Sequence, residues 1–207
     1  CQFIDDAHRI GLTDDHPIVR RGMKELIEDE NDLIVCGEGD DVASAIQLVM
    51  TNSPDLMIVD IVLKKSNGLD LCARISQEHP SLPCLIVSMH DEEIFAERAL
   101  RAGARGYVMK QDGDEKIVSA IRRVLQGGIY LSEPMNDRLL GQLVGKNEPR
   151  DGQSLRELSD REIEVFPAIG EGQSAGRTGA LAGVKGKTIE TYGPRSRTER
   201  NAAKLQQ

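Results

Sequence analysis

"IGLTDDHP", Ile10 to Pro17, begins as a β-prone apolar run and ends on two consecutive carboxylates, Asp14 and Asp15, with His16 and a proline directly behind them. A strand that merely reached the surface could end in one acid. Two in series repel each other unless something positive stands between or beside them. The rest of the chain has to supply that partner.

Four further runs share the β-prone character: "LIVCG" from Leu33, "LMIVD" from Leu56, "CLIVSM" from Cys84 and "GYVMK" from Gly106. Helical patterns lie between them. Ile18, Val19, Met23, Leu26 and Ile27 form one apolar stripe, Val42, Ala45, Ile46, Val49 and Met50 a second, and Ile117, Ala120, Ile121, Val124 and Leu125 a third. Leu69 to Glu78 and Glu92 to Ala102 also read as helices. Five strands, each followed by a helix, specify a parallel sheet covered on both faces. Right-handed crossovers leave few topologies, and the expectation is an α/β fold with a doubly wound five-stranded sheet in the flavodoxin-like order 2-1-3-4-5.

The net charge of −8 speaks against nucleic acid, but its distribution does not. From Gly172 onward seven Lys or Arg stand against two Glu, a balance of +5 that leaves −13 for the remainder. An acidic body with a basic end is the asymmetry expected when one part meets a polyanion. No apolar run approaches the ~20 residues of a membrane span, and "CQFIDDAH" lacks the apolar stretch of a signal peptide. A cytoplasmic protein with no membrane partner is expected. Beginning at Cys1 rather than at a methionine, the chain reads as trimmed or altered at its start. Cys1, Cys36, Cys72 and Cys84 are scattered without CxxC spacing and read as buried free thiols.

In doubly wound sheets, ligands sit beyond the C-terminal ends of the strands. There stand Asp14 and Asp15 after the first strand, Asp60 after the third, Ser88 after the fourth and Lys110 after the fifth. A strand-end Asp is ordinarily a turn residue, and a Lys after a strand is ordinarily solvated, but five such residues at four strand ends converge on one crevice. Three carboxylates in one pocket call for a divalent cation, and hard oxygen ligands suit Mg²⁺. A carboxylate can also attack phosphorus and yield an acyl phosphate. The Lys110 ammonium, a cation and the Ser88 hydroxyl would then neutralise and bind the phosphoryl oxygens. Asp60 is the acid best placed at the centre.

"TDDHPIVRRG", "PDLMIVD", "LIVSMH", "AGARGYVMK" and "GGIYLS" resemble the receiver domain of two-component response regulators, in particular of the NarL/FixJ subfamily. The resemblance implies that Asp60 accepts a phosphoryl group from a sensor histidine kinase. It also implies that Asp15, Asp60 and the carbonyl of Val62 hold Mg²⁺, with Asp14 acting largely through water. Ser88 and Tyr107 would be a switch pair, the hydroxyl moving toward the phosphoryl group as the ring turns inward. Val62 and His90 would affect how long the phosphoryl group survives. The loop "IVLKKSNG" departs from the family pattern with a basic pair, Lys64 and Lys65, which reads as a solvated face, while Gly68 still supplies the turn.

The expected organisation is a receiver at 9–132, a short helix and linker at 133–156, and a small all-α domain at 157–207. Ser159 and Glu162 form a capping box before Ile163 and Phe166. "LSDREIEVF" and "VKGKTIETY" resemble the LuxR-type helix-turn-helix, whose second helix lies in the major groove. On that resemblance Lys185, Lys187, Thr188, Thr191 and Arg195 would meet DNA. The segment also departs from the pattern. Pro167 inside a helix costs ~3 kcal/mol, Gly176 and Gly179 are each ~1 kcal/mol worse than alanine, and Gly193 and Pro194 interrupt the recognition helix.

The leading expectation is a regulator, not an enzyme, that binds promoter DNA and dimerises when phosphorylated. The alternative keeps the phosphorylation switch as a protein-interaction module with a non-functional DNA-binding domain. An aspartate-based phosphatase of the haloacid dehalogenase type would carry a second Asp two residues after the nucleophile, where this chain has Val62. A flavodoxin-like redox role lacks a phosphate-cradling loop after the first strand.

Overall fold

A computed structural model of the protein describes residues 7–64 and 66–143. In chain order these form β1 (His8–Thr13), α1 (Pro17–Glu28), β2 (Leu33–Gly39), α2 (Val42–Asn52), β3 (Leu56–Val59), the two-residue strands β4 (Val62–Leu63) and β5 (Ser66–Asn67), α3 (Gly68–Glu78), β6 (Cys84–Ser88), α4 (Glu92–Arg101) and β7 (Gly106–Met109). A 3-10 turn at Lys110–Asp112, α5 (Asp114–Leu125) and α6 (Glu133–Leu143) complete them.

The helix starts follow local chemistry. Pro17 occupies the first turn of α1, where a missing N–H costs nothing. Asp41 caps α2 by accepting from the Ser44 amide at 2.8 Å, while Ser44 Oγ accepts from the Asp41 amide at 3.1 Å. Asn67 and Asp91 cap α3 and α4 through the amides of Leu69 and Glu93. Each such cap contributes about 1 kcal/mol. In α5, Asp114 and Glu115 stand at the positive end of the helix and Arg122 and Arg123 at the negative one.

The five main strands form one parallel sheet in the order β2-β1-β3-β6-β7, the expected doubly wound order once the small hairpin is left aside. Alternation along the strands sorts the core into two layers. Ile10, Leu12, Leu56, Ile58, Leu85, Val87 and Val108 face α1 and α5, packing on Met23, Ile27, Ile117, Ile121 and Val124. The intervening strand residues face α2, α3 and α4. On that side a β-carbon at Gly11 or Gly37 would lie 2.9 Å from Leu48, so the two glycines let α2 seat Leu48 against the sheet.

Several expectations need correction. Ile18 and Met50, read as stripe residues, are 87% and 73% exposed, whereas Leu48 is buried. Counted at about 100° per residue, Ile18 falls roughly 180° from Ile27 and Met50 roughly 140° from Ala45, so both lie off the buried faces of their helices. The loop "IVLKKSNG" contains the antiparallel hairpin β4-β5. Lys64 is on an exposed face as expected, its Nζ 2.6 Å from Asp40 Oδ2 in a surface ion pair; Lys65 is outside the described residues. Cys72 and Cys84 are buried free thiols as expected, Cys36 is half-buried, and Cys1 falls outside the described residues. No helix among the described residues is long and apolar enough to cross a membrane.

Candidate functional site

Two backbone hydrogen bonds extend the strand pairing just past the strand ends. The Asp14 amide donates to the Gly39 carbonyl at 3.1 Å and the Asp60 amide to the Thr13 carbonyl at 2.9 Å. Asp14 and Asp60 therefore leave adjacent strands at the same level, only 3% and 5% exposed. Lys110, directly after β7, reaches across to both: its Nζ is 2.5 Å from Asp14 Oδ2 and 2.7 Å from Asp60 Oδ2. Burial pulls the ammonium down, but Asp60 and Asp14 outweigh it and hold Lys110 above the ordinary lysine range. Lys110 is thus the positive partner of Asp14, the first acid of the pair.

The remaining oxygens divide the labour. Asp60 Oδ1 accepts from the Ile61 amide at 2.7 Å, so both oxygens of this carboxylate are held. Asp14 Oδ1 accepts from the His16 amide at 2.8 Å at the start of α1, where the helix end adds positive partial charge. Asp15 Oδ1 is shielded from solvent yet accepts no hydrogen bond. His16 Nδ1 lies 2.7 Å from it, at ion-pair distance but without hydrogen-bond geometry. A buried carboxylate oxygen that accepts no hydrogen bond is costly unless positive charge stands against it. Ligand atoms of Asp14, Asp15, His16 and Asp60 lie within 4.8 Å of one another. The donor set is mainly hard oxygen and fits a divalent cation of the Mg²⁺ type. Val62, whose carbonyl the resemblance implies as a ligand, opens β4 two residues beyond Asp60.

Gly68 shapes the floor of the site. Its amide donates to the Ile61 carbonyl at 2.7 Å, and a β-carbon there would stand 1.9 Å from the Asp60 carbonyl oxygen. Only glycine allows α3 to begin so close to Asp60.

Ser88 ends β6 and is fully buried. Tyr107, on neighbouring β7, is 1% exposed, and its hydroxyl donates to the His90 carbonyl at 2.9 Å. Burial raises the Tyr107 phenol far above its usual range, so it is a donor at all ordinary pH. The His90 ring stacks obliquely on Phe95 at 5.0 Å. Burial lowers its pKa against the pull of Asp60, and Lys110 lowers it further.

The structure thus brings Asp14, Asp15, Asp60 and Lys110 into one crevice, while Ser88 ends β6 in register with Met109 and Tyr107 stands two residues earlier on β7, in register with Ile86. Lys185, Lys187, Thr188, Thr191 and Arg195, like Pro167, Gly193 and Pro194, lie outside the described residues. Sequence reasoning missed Arg20, whose Nη1 donates to the Asp14 carbonyl at 2.6 Å. A faint signal was there: an arginine in the first turn of a helix opposes the helix dipole and needs another reason to be present. It also missed Glu92, which is buried and accepts from the Ser132 amide at 2.8 Å. An acidic residue early in a helix is too ordinary to mark that contact.

Residues 10–122 match the family described as the response regulator receiver domain. The chain is 31% identical over 188 residues to the oxygen regulatory protein NreC of Staphylococcus carnosus, covering 89% of this chain and 87% of NreC. It is 28% identical over 204 residues to the transcriptional regulatory protein DegU of Brevibacillus brevis, covering 92% and 86%. Among solved structures, a LuxR-family two-component response regulator from Aurantimonas sp. SI85-9A1 superposes with a TM-score of 0.62 at 34% identity, over 67% of this chain and 99% of that one. With its receiver fold, its crevice of three acids and a lysine, and relatives aligned along most of its length, the chain belongs to the response regulators of the NarL/LuxR type.

Proposed function

We propose that Asp60 is the phosphoryl acceptor, that a sensor histidine kinase is the donor, and that phosphorylation controls binding of promoter DNA by the C-terminal segment. One observation carries the reading: a nearly enclosed carboxylate, Asp60, held by the Ile61 amide on one oxygen and by Lys110 on the other, beside a second buried acid and an acid oxygen that accepts no hydrogen bond. An Asp60 oxygen forms the new P–O bond as the P–N bond of a phosphohistidine breaks, and the electron pair leaves with the imidazole. Lys110, already within 2.7 Å of Asp60, stays on the phosphoryl oxygens as charge passes to them.

Mg²⁺ would be held by Asp15, Asp60 and the Val62 carbonyl. Asp14, with its oxygens engaged by Lys110 and His16, would act through water. The bound cation supplies charge neutralisation for the phosphoryl oxygens. Ser88 then donates to the phosphoryl group, and Tyr107 is its partner in the switch. Val62 and His90 border the group and influence its lifetime.

The receiver spans 9–132, the helix and linker 133–156, and the LuxR-type helix-turn-helix 157–207, with Lys185, Lys187, Thr188, Thr191 and Arg195 on DNA and a homodimer as the active form. An alignment of 188 residues with NreC runs past Leu143, which favours a DNA-binding regulator over an interaction module lacking that output. Such a protein acts in the cytoplasm as a regulator, not an enzyme.

Incubating the full chain with a small-molecule phosphodonor and Mg²⁺ should add one phosphoryl group by intact mass, absent in Asp60→Asn. Labelling of that variant at the wild-type level overturns the assignment. DNA affinity should fall steeply with salt as counterions are released; no salt dependence would return the interaction-module reading.

A further inference from the structure

Arg20 stands in the first turn of α1, yet its side chain is only 17% exposed and bound on both sides. Nη1 donates to the carbonyl of Asp14 at 2.6 Å, and Nε donates to Glu38 Oε2 on β2 at 3.2 Å. The Asp14 amide is meanwhile bonded to Gly39. The peptide joining Asp14 to Asp15 is therefore held at its oxygen by Arg20, and Arg20 is held by β2. His16 Nδ1 stands at ion-pair distance from the buried Oδ1 of Asp15, which accepts no hydrogen bond.

We propose that Arg20 is a positioning residue for the cation-binding half of the site: by gripping the Asp14 carbonyl it fixes the Asp14–Asp15 peptide and so keeps the Asp15 carboxylate turned to the cation. This rests on the reading of Asp14, Asp15 and Asp60 as a cation site. Nothing in the sequence pairs Arg20 with that role, and its guanidinium reaches a main-chain oxygen, not a carboxylate of the pair.

Electrostatics and positioning make opposite predictions. A positive charge near three acids repels a second cation, so deleting it should tighten cation binding if charge were its whole effect. If Arg20 orders Asp15, deletion should weaken binding. Groups that orient ligands without touching the metal typically contribute about 10-fold or more in affinity.

The test is titration of the full-length protein with Mn²⁺ as a paramagnetic stand-in for Mg²⁺, followed by electron paramagnetic resonance, with folding monitored by circular dichroism. The expected result is roughly 10-fold weaker binding in Arg20→Ala, with partial recovery in Arg20→Lys. Phosphorylation by a small phosphodonor should need more Mg²⁺ in Arg20→Ala but reach the wild-type rate at saturation, which a merely structural defect would not allow. If Arg20→Ala does not fold, Arg20→Gln is titrated in its place. Equal or tighter Mn²⁺ binding by the folded variant overturns the proposal while leaving the site intact. Wild-type protein that takes up no more Mn²⁺ than Asp15→Asn overturns the site reading itself, and the proposal with it.

Discussion

The Tyr107 hydroxyl donates a 2.9 Å hydrogen bond to the main-chain carbonyl of His90, two residues beyond Ser88. The bond joins edge strand β7 to the segment that leads from the crevice into α4, so a shift at Ser88 and a shift of the Tyr107 ring both act on His90. Tyr107→Phe retains the buried ring and removes the hydroxyl, with its bond to the His90 carbonyl and its interaction with Ser88. It should lower stability by about 1 kcal/mol, read as a lower urea midpoint with unchanged slope. A midpoint equal to wild type would mean that the hydroxyl contributes nothing to holding the two segments together.

Gly68→Ala should be far more damaging than its one added methyl suggests. The new β-carbon would fall 1.9 Å from the Asp60 carbonyl oxygen, a backbone atom that cannot rotate away. Either α3 retreats and loses the Gly68 amide bond to the Ile61 carbonyl, or the end of β3 moves and carries Asp60 away from Lys110. Overpacking of this kind costs about 1–3 kcal/mol. Phosphodonor labelling should fall in parallel with the loss of stability. A variant labelled at the wild-type rate would show that the Asp60 loop adjusts without disturbing the carboxylate.

The main sheet was legible because its signals are local and repeated: five β-prone runs separated by helical patterns, with chemistry at their ends. Asp14, Asp60 and Lys110 could be gathered in advance because strand ends in a doubly wound sheet share one edge. What escaped depends on distances between elements. The hairpin of Val62–Leu63 with Ser66–Asn67 is too short to show alternation. Arg20 acts on a main-chain carbonyl, and a carbonyl has no letter in the sequence. The Glu92–Ser132 contact joins residues forty apart through an amide that every residue but proline carries.

Removing Lys110 should make the receiver depend on its cation. In Lys110→Ala the oxygens of Asp14 and Asp60 that now share the ammonium have no counter-charge. Breaking a buried pair from one side costs about 3–5 kcal/mol. Added Mg²⁺ should then raise the thermal midpoint of the variant more than that of wild type, since the cation no longer competes with an ammonium for the same carboxylates. Chelation should remove the difference. Equal gains in both proteins would place the cation away from the Lys110 contacts.

His90 should confer a pH dependence of defined sign. Burial lowers its folded pKa below the ordinary value of 6.5, with Asp60 opposing and Lys110 assisting. Between the two pKa values the unfolded chain binds more protons, so stability rises with pH through that window and is lost as pH falls below about 6.5. His90→Gln removes the titration and should flatten the urea midpoint over this range relative to wild type. A slope unchanged by the substitution would assign the acid sensitivity to other groups.

The start of α6 is fastened to the start of α4, and the fastening can be loosened without disturbing the sheet. Glu92 Oε1 accepts from the Ser132 amide at 2.8 Å, and Arg138 Nη1 donates to the Glu93 carbonyl at 3.1 Å. Leu131 and Met135 are buried beside them. Apolar burial holds the helix down, while Glu92 fixes where it begins, because Ser132 in turn accepts from the Asn136 amide at 2.9 Å. Glu92→Ala removes a charged acceptor from a nearly buried position, a loss of about 1.5–3 kcal/mol for the local contact. Amide hydrogen exchange should accelerate roughly 10- to 100-fold within 132–143, while the amides of β1, β3 and β6 keep their wild-type protection. Acceleration spread evenly over sheet and helix would mean that Glu92 supports the whole fold and that α6 has no separate clasp.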